Sequence, residues 1–193
     1  MITIIDYGTG NLESVKNALN RLNAEYILSS DHETIRNSER VLLPGVGEAY
    51  MAMDKLRERG LPEVIKSLTQ PVLGICIGLQ LLCSHSEESD TECIGVFENK
   101  VKKLRSDTLK IPHMGWNDIY DLRSPLFKGV EEYSYVYYVH SYAAEKNENT
   151  IAVTDYGIEY SGALNRDNFY GVQFHPEKSS TIGEKILKNF LEL

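Results

Sequence analysis

The sequence predicts an α/β fold: a mostly parallel central sheet flanked by helices, with a strand-rich C-terminal half. Three observations predict it. Short apolar runs alternate with amphipathic stretches through the first half, which implies parallel strands joined by helices on the sheet faces. The connections between them are short. Beyond residue 93 the pattern changes to short segments broken by Gly, Asn, Asp and Pro, such as YSYVYYVHSY at 133–142, rich in residues that favour strands.

Taken in order, residues 2–5 (ITII) form the first strand candidate. Residues 11–22 carry apolar side chains at 12, 15, 19 and 22, a helical period. A short apolar run at 25–28 and RVLL at 40–43, ending at Pro44-Gly45, read as strands, and a helix covers 48–58. PVLGI at 71–75 is a strand and 77–84 a helix. Segments 94–104, 116–122, 133–142, 151–156, 159–164 and 168–174 read as strands. Residues 181–191 close the chain as a helix with Ile182, Ile186, Leu187 and Phe190 on one face. With no internal repeat or linker, residues 1–193 are expected to form one domain, long enough for a real core.

Composition removes several function classes. No apolar run approaches the roughly 20 residues of a membrane helix. MITIIDYGTG lacks the basic and long apolar regions of a signal peptide, so a cytoplasmic protein is expected. The net charge of −8 argues against broad nucleic-acid binding, which needs cations against phosphate. Cys76, Cys83 and Cys93 show no C-x-x-C spacing, so neither a zinc site nor a disulfide framework is expected.

The chemistry concentrates at G-I-C-I-G, residues 74–78, between a strand and a helix. Gly-x-Cys-x-Gly is the cysteine counterpart of the nucleophile elbow. The glycines permit a sharp turn without Cβ clashes. The helix that follows points its N-terminus at the thiol and favours the thiolate. The N–H of Ile77 becomes a donor to a developing oxyanion. The competing reading is a buried structural cysteine, and Cys83, in the apolar helix, is expected to be one.

A thiol nucleophile needs a base, and the base an orienter. His32 and His85 sit among polar residues and read as surface; His113 lies in IPHMGW, His140 in YVHSY and His175 in VQFHPEKS. In an extended segment His175 and Glu177 face the same side, with Pro176 stiffening the backbone between them. Glu177 would then fix the imidazole tautomer. Alone, H-P-E reads equally well as a surface turn; with the elbow it makes a Cys–His–Glu triad candidate. LLPGVGEAY at 42–50 ends a strand with two close glycines, able to aim an N–H from Gly45–Gly47 at an oxyanion. It lacks the Gly-Lys-Ser/Thr ending of a phosphate loop.

PGVG, GICIGLQLL and HPEKS, in that order, resemble the class I, triad-type glutamine amidotransferases along nearly the whole chain. Within that family, DYGTGNLESV (6–15), KIPHMGWN (110–117) and YYVHSY (137–142) resemble the glutaminase subunits of imidazole glycerol phosphate synthases. The resemblance implies that Cys76 attacks the side-chain amide of L-glutamine, with His175 as base and acid and Glu177 as its orienter. Val46, Gly47 and Ile77 would form the oxyanion hole. Gly45, Gln80, Ser141 and Tyr142 would contact the substrate, with Glu88 on its α-ammonium. No cofactor or metal is implied. The implied partner is a separate (β/α)8-barrel cyclase subunit that receives ammonia through its core, faced by a rim including Asn11, Trp116, Tyr137 and Lys178. Two rivals remain: a paralogous glutaminase feeding another synthase, such as one aminating surface sugars, and a non-catalytic adaptor on the same fold.

Overall fold

Four consecutive buried residues, Ile2–Ile5, form β1. Strands that are apolar on both faces belong inside a parallel sheet covered by helices. In the computed structural model, which describes residues 1–8 and 12–193, that is where β1 lies. It is followed by α1 (Leu12–Arg21), β2 (Tyr26–Ser29), α2 (His32–Arg36), β3 (Arg40–Gly45), α3 (Ala49–Glu58), α4 (Leu61–Lys66), β4 (Val72–Cys76) and α5 (Ile77–Leu82). The second half contains β5 (His85–Ser86), β6 (Thr91–Glu92), β7 (Lys100–Lys103), β8 (His113–Ile119), β9 (Ser134–His140) and β10 (Tyr142–Ala144). It ends with β11 (Thr150–Asp155), β12 (Glu159–Arg166), β13 (Phe169–Val172) and α6 (Ser180–Leu191).

The main sheet runs β11-β12-β13-β4-β3-β1-β2. Its pairs from β2 to β13 are parallel, and β12 and β11 extend it antiparallel. The expected parallel sheet with a strand-rich second half is therefore one mixed sheet. A small sheet, β10-β7-β5-β6, and the β8–β9 hairpin sit beside it. The helices face the core as their periods require: α1 buries Val15, Ala18 and Leu19, and α6 buries Ile186, Leu187 and Phe190. Among the described residues no helix is long and apolar enough to cross a membrane, and no cluster of His, Cys, Asp and Glu could hold a metal.

Two departures from the sequence expectations have local causes. Helices α2 and α4, with five and six residues, are too short to show a period; caps carry them instead. Asp31 accepts from the Thr34 N–H at 2.8 Å, and a proline occupies the first turn of α4. The strand expected over 94–104 shrinks to Lys100–Lys103 because the preceding backbone caps α5. The N–H groups of Ile94, Val96 and Phe97 donate to the carbonyls of Leu81 and Leu82, and that of Gly95 to Cys83. These bonds satisfy the free carbonyls of the helix end, and α5 stops at Leu82 rather than continuing to 84.

Candidate active site

Ligand sites of open α/β sheets form beyond the carboxyl ends of the parallel strands, and β3, β4 and β13 all deliver their ends to one cleft. Cys76 is the last residue of β4 and immediately precedes α5. Its backbone, φ 54° and ψ −107°, lies where side chains other than glycine are strained. Strain at the corner of a strand–turn–helix is the mark of a nucleophile elbow.

The glycines at 74 and 78 serve close approach rather than unusual torsions. A Cβ on Gly74 would lie 2.6 Å from the Gly78 carbonyl carbon, and one on Gly78 would lie 1.8 Å from the Leu43 carbonyl oxygen. Without side chains there, α5 settles directly onto β3 and β4. Gly45 is equally confined, since its Cβ would meet the Tyr7 hydroxyl at 2.7 Å. That buried phenol donates to the Pro44 carbonyl at 3.0 Å and anchors the base of the Gly45–Gly47 loop.

His175 follows β13 and opens a single 3-10 turn, Pro176–Lys178. The segment is a turn, not the extended stretch expected from the sequence, yet the pairing holds: His175 Nδ1–H donates to Glu177 Oε1 at 2.8 Å. Ser179 locks the turn by accepting from the Tyr137 N–H at 2.9 Å and donating to the His175 carbonyl at 2.6 Å. With Nδ1 committed to Glu177, Nε2 is the ring nitrogen left free toward the cavity that Cys76 also lines. Burial alone would lower the His175 pKa. The interactions with nearby Cys76 and with Glu177 outweigh it and raise the value to about 10.

These groups open onto a cavity of about 310 Å³, the size of a small-ligand site. Val46, Gly47, Cys76, Ile77, Gln80, Glu88, Ser141, Tyr142, His175 and Lys178 line it. Gly45 lies beneath, paired in register with Cys76, and Glu177 stands behind His175 with its side chain buried. Trp116 and Tyr137 lie outside the cavity, where their rings meet edge to face at 5.8 Å. Asn11 falls outside the described residues.

Glu88 is half-buried, and its carboxylate accepts from the Ala49 N–H at 2.8 Å, at the first turn of α3. Ser89 donates to Glu48 beside it. Burial raises the Glu88 pKa, and the Ala49 bond opposes that rise. Gln80 is buried, and its Nε2 donates to the Tyr142 carbonyl at 2.9 Å and to Gln173 Oε1 at 3.0 Å.

Sequence reasoning passed over Gln173, Val139, Pro112 and a role for His140. His140 lines the cavity and donates from Nδ1 to the Tyr142 carbonyl at 2.8 Å, so it buttresses the wall that carries Ser141 and Tyr142. Its Nε2 meets the Tyr160 hydroxyl at 3.1 Å, and His113 Nδ1 lies 3.2 Å from both. Burial pushes the pKa of His140 down to about 3 and that of His113 down to about 4, from an ordinary 6.5. Both are neutral when folded near neutrality, whereas the unfolded chain takes up their protons below about pH 6.5. Their contribution to stability is complete above that pH and is lost as pH falls toward 4 and 3. Urea unfolding at pH 7, 6, 5 and 4 checks this: replacing His140 by glutamine is expected to make the decline shallower by about 1.4 kcal/mol per pH unit.

The class I glutamine amidotransferase family model matches residues 3–193, and this chain belongs to that family. It is 50% identical over 194 residues to the imidazole glycerol phosphate synthase subunit HisH of Bacteroides fragilis strain YCH46, covering 100% of this chain and 99% of that protein. It is 48% identical, with the same coverage, to the subunit of that name in Escherichia coli K12. Among solved structures, one described as a glutamine amidotransferase superposes with a TM-score of 0.77 at 18% identity, covering 100% of this chain and 98% of its own. A glutamine amidotransferase from Thermotoga maritima gives a TM-score of 0.63 at 16% identity, covering 99% of this chain and 82% of its own. These two share the fold.

Proposed function

We propose that this chain is the glutaminase subunit of an imidazole glycerol phosphate synthase, hydrolysing L-glutamine to glutamate and ammonia with Cys76, His175 and Glu177. One observation carries the reading: Cys76 and His175 line the same cavity of amino-acid size, and His175 is hydrogen-bonded from behind to the buried Glu177. An imidazolium beside a sulfur favours the thiolate. The thiolate attacks the carboxamide carbon, and the carbonyl π electrons move to oxygen. The N–H of Ile77 and one from Val46 or Gly47 receive that oxyanion. Collapse breaks the C–N bond as His175 Nε2–H protonates the departing nitrogen, releasing ammonia and leaving a γ-glutamyl thioester. Water, deprotonated by His175, then attacks the thioester and releases glutamate and the thiolate. Glu177 holds Nδ1–H throughout, keeping Nε2 on the reacting side.

Substrate fits the same wall by charge. Glu88 faces the α-ammonium, the Ser141–Tyr142 segment the amino-acid backbone, and Gly45 sets the depth of the loop above. Ammonia passes to a (β/α)8-barrel cyclase subunit, where it serves the step that makes imidazole glycerol phosphate and aminoimidazole carboxamide ribotide in histidine biosynthesis. The outer face of the β8–β9 hairpin suits that partner. Met114, Trp116 and Tyr135 are 63%, 52% and 59% exposed and project beside Tyr137 and Val139, the latter at the cavity mouth. A contiguous apolar face of this kind marks a protein interface. Lys178, exposed at the same mouth, adds a charge to it.

Gly47, at φ +94° and with nothing within 4 Å of an added Cβ, gives the oxyanion loop room to turn. Partner binding is expected to act through that loop. Glutamate release, measured with and without the barrel cyclase carrying its nucleotide ligand, is expected to rise about tenfold or more in the complex. Equal rates would refute the assignment to a coupled synthase.

A further inference from the structure

Two buried amides connect the substrate wall to the sulfur. We infer that Gln173 is a further catalytic residue, donating an amide N–H to the Cys76 sulfur, and that Gln80 positions it. The inference rests on the reading of Cys76 as the nucleophile.

The polarity of this relay is set by backbone. The Tyr142 carbonyl can only accept, and it already accepts from His140 Nδ1–H at 2.8 Å. The Gln80 atom 2.9 Å from it must therefore be the amide nitrogen. The second N–H on that nitrogen points to Gln173 at 3.0 Å, so the Gln173 atom there is its oxygen. The Gln173 NH2 is left facing Cys76 Sγ at 3.7 Å. A flipped Gln173 would set nitrogen against nitrogen at one end and oxygen against sulfur at the other. Gln173 is 0% exposed and Gln80 1%, so neither bond is exchanged with solvent. In such surroundings an N–H aimed at a charged atom acts at close to full strength. The bond stabilises charge on sulfur before attack and again when the thioester breaks, and it holds Sγ against rotation out of reach of His175. No covalent bond to the amide forms or breaks.

The same hydrogen bonds restrict Gln80 toward substrate. Both its N–H groups are committed within the protein, while Oε1 is buried without a partner. Gln80 therefore has no free N–H with which to bind the substrate's carboxylate.

The test is the rate at which iodoacetamide alkylates Cys76 in the full chain at about pH 7, followed by peptide mass spectrometry. The ultraviolet absorbance of the thiolate, taken as a difference from Cys76→Ser, is read in parallel. Gln173→Met is expected to slow alkylation about tenfold and to lower the thiolate absorbance. Gln80→Met frees Gln173 to flip; it is expected to slow alkylation about threefold and also to raise KM for glutamine. A change confined to access would alter alkylation and leave the absorbance untouched, which overturns the inference. Wild-type alkylation and absorbance in a folded Gln173→Met overturn it equally; if that variant does not fold, Gln80→Met decides in the same way. A Cys76→Ala chain that still hydrolysed glutamine would instead refute the nucleophile itself, while the alkylation comparison would still report on the N–H···S bond.

Discussion

Replacing Cys76 by alanine is expected to abolish glutamine-dependent product formation by the complex and to leave the ammonia-dependent reaction intact. On the proposed mechanism the substitution removes the atom that bonds covalently to the substrate. What remains, the Ile77 and loop N–H groups with His175, can orient a glutamine but gives water no covalent route. Losing a nucleophile from a cooperating set costs on the order of 10⁴ or more in kcat, because its partners have nothing to act on. Alanine at 76 also relieves no packing: the side chain is small and its sulfur faces the cavity. The variant should therefore fold, bind the cyclase and deliver no ammonia. Supplying an ammonium salt at alkaline pH bypasses the chain's chemistry, so the cyclase should proceed at its wild-type rate. Equal loss of both reactions would mean that Cys76 supports the assembly rather than the hydrolysis.

Much of this site could be read from the sequence because its chemistry is local. The elbow is five adjacent residues, and His175 and Glu177 are two apart, so each half is a short pattern, although H-P-E gains its meaning only beside the elbow. Gln80 lies one helical turn beyond Cys76 and was within reach of the same reasoning. The residues that were missed owe their roles to contacts between elements distant in sequence. Gln173 is an ordinary polar residue at the end of a strand until β13 pairs with β4 and α5 packs across them. Glu88 was named through the resemblance, but its bond to the first turn of α3 spans 39 positions and leaves no pattern. His140 was visible as one histidine among five, but its burial depends on β8 pairing with β9 in the register that sets it opposite His113. The fold follows the same division. Long periodic elements such as α1, α6 and the buried strands were legible, whereas α2, α4 and the two-residue strands β5 and β6 exist through caps and tertiary hydrogen bonds. The flanking glycines were recognised for a sharp turn, but their close contacts belong to Leu43, thirty-five residues from Gly78, and to the helix itself.

Those contacts make the second large prediction. Gly78→Ala is expected to destabilise the chain by about 4 kcal/mol or more, lowering Tm by roughly 10 °C. The added methyl carbon would sit 1.8 Å from the Leu43 carbonyl oxygen and 2.9 Å from its carbon, and both belong to a central strand held in register on each side. Backbone in the middle of a sheet cannot swing aside as a side chain can, so α5 must lift. Alanine's better helix propensity returns only about 1 kcal/mol. Lifting α5 moves the N–H of Ile77 and the torsions of Cys76 together, so any folded remainder should lose glutamine hydrolysis as well. Gly47→Ala is the contrasting case. It has open space around the added Cβ but a φ of +94°, so its cost is backbone strain, of order 1–3 kcal/mol, confined to the loop. Thermal melts of the two variants separate these causes. A Gly78→Ala chain melting within a degree or two of wild type would show that α5 can ride higher on β3 than the close fit of helix to strand allows, and the elbow would then owe its rigidity to something other than glycine.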